Sequence, residues 1–315
     1  MLVDEIIEKI TNAHKIGICG HINPDGDSIG SCLALANTLD RLGKIPYVYL
    51  DESAIKFDSA PGRNFISNKT DIDLFISLDT ANFERISHHK ELFNEVDNIV
   101  IDHHISNIGY GKLNFIEESA SSTCEVLHFI ISKLLKIDVN IAAWLYTGMM
   151  TDTDNFSYSN TTPKTLRIAA DLIETGIDSS RINFSWLKAR SLEKFRMLAT
   201  LRDHIIYTPD IGLIHMTISY DHMKSNNVKE TDLNTISTSL NVIEEAAIVI
   251  FLREGEKGLT KASFRSKKVD VNQIAAHFGG GGHKLAAGCS FKASPEEAIE
   301  QIINYLRKIE VWKSF

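Results

Sequence analysis

The chain has few cysteines, no excess of basic charge and no apolar run long enough to cross a bilayer. Each shortage removes a class of function. Four cysteines, Cys19, Cys32, Cys124 and Cys289, are scattered through 315 residues without zinc-like spacing. Neither a disulfide scaffold nor a zinc module is therefore expected, and Cys19 and Cys124 fall inside apolar patterns that suit buried free thiols. Acidic residues number 41 against 33 basic ones, a formal charge of −8. Coating long nucleic acid needs the opposite balance, whereas a small phosphorylated ligand needs only a local basic patch. The opening Met1-Leu2-Val3-Asp4-Glu5 lacks the basic region and apolar stretch of a signal peptide. A cytoplasmic protein without a membrane partner is expected. Convincing long repeats and low-complexity tails are also missing.

What is present reads as two α/β domains. The length favours two, since one domain commonly takes ~100–200 residues. The expected division is 1–185, a helical linker 186–202, and 203–315. In the first part, apolar runs at 16–19, 47–50, 74–78 and 98–101 alternate with helical patterns. That alternation predicts a mostly parallel sheet with crossover helices. Helices are expected at 4–10, from Ile29 to Leu42, from Ser122 onward with Glu125 as capping-box partner, and at 163–174 before Gly176. A largely apolar segment, 141–150, precedes a fourth acidic cluster. The stretch 184–202 reads as helical. Beyond it, a smaller α/β domain is predicted, with strands at 212–219, 246–252, 259–264 and 285–291 and helices at 232–240 and 271–278. The last helix is the clearest element: Ser294 caps it, Pro295 suits its first turn and Glu297 completes the box.

Chemistry concentrates where the apolar runs of the first part end. His21-Ile22-Asn23-Pro24-Asp25-Gly26-Asp27 follows the first run, Asp79-Thr80 the third, and Asp102-His103-His104 the fourth. Thr151-Asp152-Thr153 follows the apolar segment 141–150. In a parallel sheet, ligands gather beyond the carboxyl ends of the strands, so one edge collects these residues. Any one of these acids also reads as a turn or helix cap, Asp27 at the helix after the first motif for example. Four such loops are harder to assign to capping. Asp25, Asp27, Asp79 and Asp152 would repel one another unless two divalent cations offset them, and one carboxylate can bridge both. His21 and His103 add neutral nitrogen donors, a mixed set that suits Mn²⁺ and admits other first-row metals. Such a pair, ~3.5–4 Å apart, activates water against phosphorus.

These motifs resemble the DHH/DHHA1 phosphoesterase family, in its short bacterial branch of oligoribonucleases and phosphoadenosine-phosphate phosphatases. The resemblance implies that His21, Asp25 and Asp79 hold one ion. It implies that Asp27, Asp79, His103 and Asp152 hold the other, with Asp79 as bridge. Asp102 is then the supporting carboxylate and His104 contacts or protonates a phosphate oxygen. Asp154 is an extra acid, expected at the surface or behind the ligands. In the second part, Phe278-Gly279-Gly280-Gly281-Gly282-His283-Lys284 resembles the DHHA1 glycine-rich signature. Consecutive glycines expose backbone N–H groups to an anion. Upstream, 260–268 carries four basic residues and no acid. Arg265, Gly280, Gly281, Gly282 and His283 are therefore expected to hold the nucleotide; a flexible turn and a solvated basic edge are the plainer alternatives.

The resemblance implies a metal-dependent phosphoesterase that degrades RNA of about two to five nucleotides and removes the 3′-phosphate of 3′-phosphoadenosine 5′-phosphate. Mn²⁺ is the expected metal, with Co²⁺ and Mg²⁺ as alternatives. A linear diadenylate (pApA) hydrolase in cyclic-di-AMP turnover, and a non-catalytic nucleotide-binding regulator, remain as other readings. Membrane and sensory segments of cyclic-dinucleotide hydrolases are lacking. The glycine signature and Arg265 disfavour a DHHA2-type pyrophosphatase. A homodimer is left open.

Overall fold

The computed structural model describes residues 2–50, 61–225, 228, 233, 236–255 and 258–309. The chain divides into two compact units, Met1–Ala189 and Arg190–Phe315, each with its own sheet and core. Among the described residues, no helix is long and apolar enough to cross a membrane.

The first unit begins with α1 (Leu2–Asn12), β1 (Lys15–Cys19), α2 (Gly26–Arg41), β2 (Ile45–Tyr49) and β3 (Leu74–Leu78). It continues with α3 (Lys90–Glu95), β4 (Asp97–Asp102), β5 (Leu113–Ile116) and α4 (Thr123–Leu134). Three helices complete it: α5 (Val139–Asp152), α6 (Pro163–Glu174) and α7 (Ser179–Asn183). All five strands are parallel, in the order β2-β1-β3-β4-β5. Alternate side chains serve alternate faces. Ile16, Ile18, Ile76, Leu78, Ile99 and Ile101 join one core with α2, α4 and α5. Cys19, Phe75 and Val100 join another with Tyr49 and Phe93. Burial on both faces is why these strands read as continuous apolar runs. The strand order reverses between β1 and β3, and the crevice at that point is where such sheets bind ligands.

Several local expectations need correction. The N-cap of α2 is Asp25, not Asp27: one Asp25 oxygen accepts the amides of Asp27 and Ser28 at 3.0 and 3.1 Å. Ser122 caps α4 through the Glu125 amide, but Glu125 does not reach back to it. Its carboxylate binds the hydroxyls of Ser121 and Thr165, at 2.8 and 2.7 Å. The unanticipated β5 buries only Leu113 well, so it left no apolar run to read. The stretch 184–202 is not one helix: a π-turn, Phe184–Lys188, and α8 (Leu192–Leu201) are separated by a break.

After α8 the second unit comprises β6 (Ile206–Thr208), β7 (Leu213–Ile218), α9 (Tyr220–Ser225), α10 (Ile236–Leu240) and β8 (Ile248–Glu254). It ends with β9 (Thr260–Ser266), α11 (Val271–His277), β10 (Gly281–His283), β11 (Ala286–Phe291) and α12 (Pro295–Ile309). Of the helix expected at 232–240, residues 232, 234 and 235 lie outside the described set. The sheet runs β10-β11-β9-β8-β7-β6, antiparallel except for the β7/β8 pair. One face packs Ile248, Ile250, Phe264, Ala287 and Phe291 against α11 and α12. On the other, Ile214, Met216, Val249 and Phe251 meet α9 and α10. The α12 capping box is reciprocal: Ser294 accepts the Glu297 amide, and Glu297 accepts the Ser294 amide.

Candidate metal centre

Three neighbouring strand ends and two helix ends deliver the motif side chains to one place. His21 stands two residues past β1, Asp79 directly past β3, and His103 and His104 directly past β4. Asp25 and Asp27 open α2, and Asp152 closes α5. Donor atoms of His21, Asp25 and Asp79 lie within 4.8 Å of one another, as do those of Asp27, His103 and Asp152. Asp79 sits between the two groups. Its Oδ2 is 3.5 Å from His21 Nε2, and its Oδ1 is 3.7 Å from His103 Nε2. Asp79 adopts a left-handed backbone, φ 52°, which costs a non-glycine residue of order 1–2 kcal/mol. Strain retained at such a point is a reason to look for function there.

Backbone carbonyls orient two of the imidazoles. His21 Nδ1 lies 2.8 Å from the Ile22 carbonyl, and His103 Nδ1 lies 3.4 Å from that of Ala120. With the proton on Nδ1, each Nε2 turns a lone pair toward the carboxylates, the usual arrangement behind a ligating histidine. His104 is different. Its Nδ1 is 2.8 Å from Asp102 Oδ1, so a third donor set, Asp79 with His103 and His104, would have to break that bond. We therefore assign His104 to the Asp102 pair rather than to a metal. The other Asp102 oxygen accepts from Asn107 at 2.7 Å. Although burial alone would raise Asp102, His104, Asn107 and the His103 amide hold it below the usual carboxylate range. In return, the bond to Asp102 lifts His104 to about 9 against burial, keeping a proton available on its outer nitrogen.

Among the described residues, no lysine or arginine lies within ion-pair distance of Asp25, Asp27, Asp79 or Asp152. Histidines lie beside Asp25, Asp79 and Asp152, whereas Asp27 meets backbone amides. At such separations and an effective dielectric of about 20, each carboxylate pair repels by about 3–4 kcal/mol. The pairs Asp25–Asp79 and Asp27–Asp152 would together consume much of a domain's ~5–15 kcal/mol of stability. Burial, then the charges of Asp79 and Asp152, push Asp27 well above its ordinary range; burial, then Asp79 and Asp25, take Asp152 to about 8. Burial pulls the His21 imidazolium down, but Asp25 and Asp79 outweigh it and set it at about 10. After burial, the crowding of negative charge raises Asp27 and Asp152, and the same crowding holds the proton on His21. Two divalent cations on this O/N donor set would offset that crowding.

Residues outside the motifs hold this arrangement. Both Asp27 oxygens accept amides at the start of α4, from Thr123 at 2.7 Å and Cys124 at 3.0 Å. The Thr123 hydroxyl donates to Asp79 Oδ1 at 3.1 Å, so one residue ties the two acids together. Gly148 of α5 leaves the space: a Cβ there would sit 2.5 Å from Asp27 Oδ1. Asn107 also donates to the Thr80 carbonyl, 3.2 Å away, fixing the loop after Asp79. Asp154 is exposed and touches no donor set.

The remaining singled-out residues lie in the second unit and form a different kind of surface. The glycine run is not simply a loop: Gly281–His283 pairs with β11 as an edge strand. Register then places His283, Ala286 and Arg265 in one row across β10, β11 and β9, with Gly281, Gly288 and Ser263 in the next row on the same face. Farther along these rows, Val249 and Phe251 are covered by apolar packing. The strip between Arg265 and His283 instead has a floor of glycine, alanine and serine. Gly282 is needed by the backbone itself: its φ is 153°, and a Cβ would meet the Ala286 carbonyl at 2.5 Å.

Comparison with known proteins follows the same division. The N-terminal domain of the DHH family matches residues 15–149, and the DHHA1 domain matches 211–310. The chain is 30% identical over 319 residues to a bifunctional oligoribonuclease and PAP phosphatase NrnA of Thermus thermophilus, covering 98% of this chain and 93% of that one. A protein of the same description from Bacillus subtilis is 27% identical over 299 residues, covering 91% and 92%. The crystal structure of an exopolyphosphatase-related protein from Bacteroides fragilis superposes with a TM-score of 0.88 at 26% identity, covering 97% and 95%.

Proposed function

From the premise that this chain belongs to the DHH family, in its NrnA-like branch with a DHHA1 domain, we propose that it is a metal-dependent phosphoesterase acting on very short RNA. Its products are nucleoside monophosphates, and the same centre takes the 3′-phosphate from 3′-phosphoadenosine 5′-phosphate. The observation that carries this reading is Asp79, strained and buried, offering one oxygen to each of two O/N donor groups that no lysine or arginine among the described residues neutralises. His21, Asp25 and Asp79 would hold one cation, and Asp27, Asp79, His103 and Asp152 would hold the other. When bound, such ions supply an acidified water and Lewis acidity toward phosphoryl oxygens, and Mn²⁺ suits the donors best.

The chain's own contribution is orientation and proton supply. The carbonyls of Ile22 and Ala120 keep His21 and His103 in the tautomers that ligation needs. Asp102 holds a proton on His104 Nδ1, which leaves Nε2–H to donate to an oxygen of the phosphate as charge builds there. Arg265, His283 and the backbone of Gly280, Gly281 and Gly282 receive the terminal nucleotide or its phosphate. The open glycine-alanine floor between Arg265 and His283 supports that role, because a flat base needs space that branched side chains would fill. Limits on substrate length come from this second set of contacts.

Product analysis with Mn²⁺ and an RNA series of two to twenty-four nucleotides, with 3′-phosphoadenosine 5′-phosphate in parallel, tests the proposal. Rapid conversion of the shortest RNAs to mononucleotides is expected. Phosphate release with inert RNA would restrict the activity to the 3′-phosphatase, and no turnover of either would overturn it.

A further inference from the structure

Arg85 stands at the edge of the candidate metal centre without a part in it so far. It ends the turn Phe83–Arg85 beyond β3. The backbone there is stitched to the first motif: the Ile22 amide donates to the Arg85 carbonyl at 2.9 Å, and the Ser87 amide to that of Gly20 at 3.2 Å. The guanidinium lies 3.4 Å from His21 Nδ1. The same nitrogen lies closer, 2.8 Å, to the Ile22 carbonyl, and with its proton turned to that carbonyl it offers Arg85 no lone pair. The side chain is exposed, and among the described residues no carboxylate is within ion-pair distance of it.

An arginine beside a surplus of aspartates would ordinarily pair with one of them. Arg85 pairs with none, although Asp25 and Asp79 are both partners of the imidazole it touches. Its planar fork matches two oxygens of a phosphate better than any group it meets in the protein. Its place is also specific. It adjoins His21, on the Oδ2 side of Asp79, whereas His104 lies 3.7 Å from Oδ1.

We propose that Arg85 contacts the phosphate undergoing cleavage, from the His21 side of Asp79, while His104 contacts it from the other side. The proposal rests on the phosphoesterase reading above. Because negative charge on the phosphoryl oxygens grows toward the transition state, this contact acts mainly on kcat. It is also indifferent to the rest of the substrate, since the reacting phosphate is common to all substrates.

Arg85→Ala and Arg85→Lys in the full chain test the assignment through three readouts. These are hydrolysis of linear diadenylate and of 3′-phosphoadenosine 5′-phosphate, calorimetric binding of inorganic phosphate to the Mn²⁺-loaded protein, and Mn²⁺ affinity. For Arg85→Ala, kcat should fall by about 10–100-fold on both substrates, the range of a lost charged hydrogen bond. Phosphate binding should weaken about tenfold, with Mn²⁺ affinity unchanged. Lysine should restore only part, because it cannot make the fork. Unchanged kcat and phosphate affinity would overturn the proposal, as would loss of Mn²⁺ affinity in step with activity, which would make Arg85 a support for His21. If the wild type turned over neither substrate, the phosphoesterase reading would fall, and phosphate binding to wild type and variants would still decide whether Arg85 holds a phosphate.

Discussion

At the carboxyl edge of the first unit's sheet, four aspartates crowd together with no lysine or arginine among the described residues in ion-pair range. On the second unit's sheet, Arg265 and His283 flank a strip of glycine, alanine and serine. The first surface runs from buried Asp27 and Asp79 to exposed Asp25, is rich in acceptors and is electrostatically incomplete. The second is open, carries positive charge and is complete without any ion. Bond breaking at phosphorus needs concentrated positive charge, which divalent cations would bring to the first surface. Holding a nucleotide needs donors and room, which the second already has. Under the proposed function, metal dependence and chemistry fall to one unit and recognition to the other.

The sharpest break in that division would come from Asp79. Asp79→Ala removes the carboxylate shared by both donor groups, and hydrolysis of a short RNA should fall by about a thousandfold or more. Retained turnover would mean that the two groups do not work together. Next in size, Asp102→Asn should lower kcat by about 10²-fold or more while leaving bound metal unchanged, because Asp102 acts through His104 and not on an ion. Arg265→Ala should do the reverse of both. Losing one charge-assisted contact, ~1.5–3 kcal/mol, should raise KM about 10–100-fold with kcat and metal content preserved. A kcat loss at Arg265 would erase the distinction between the units. The smallest effect is structural. Ser294→Ala removes a cap from α12 and should cost about 1 kcal/mol in denaturant melts of the second unit, with Mn²⁺ binding untouched.

The same contrast explains what could be read before the structure. The parallel sheet was legible because strands buried on both faces leave uninterrupted apolar runs, and the candidate ligands lie within a few residues of the run ends. The short, half-polar β5 left no such trace. Asp25 shows why capping and ligation are not rival readings: it caps α2 with one oxygen and still belongs to a donor group. Thr123 and Asn107 escaped notice because their roles are long-range. Thr123 meets Asp27 across 96 positions and Asp79 across 44, and no local pattern encodes either contact. The second surface was harder still. Glycines argue against a strand, so β10 read as a loop. Only its register with β11 and β9 aligns His283 with Arg265.

Counting bound ions tests the role of the first unit's uncompensated aspartates most directly. Metal-stripped protein, dialysed to equilibrium against Mn²⁺, should retain two ions per chain, with hydrolysis of short RNA appearing as the ions bind. Full hydrolysis by protein that retains no divalent metal would contradict it.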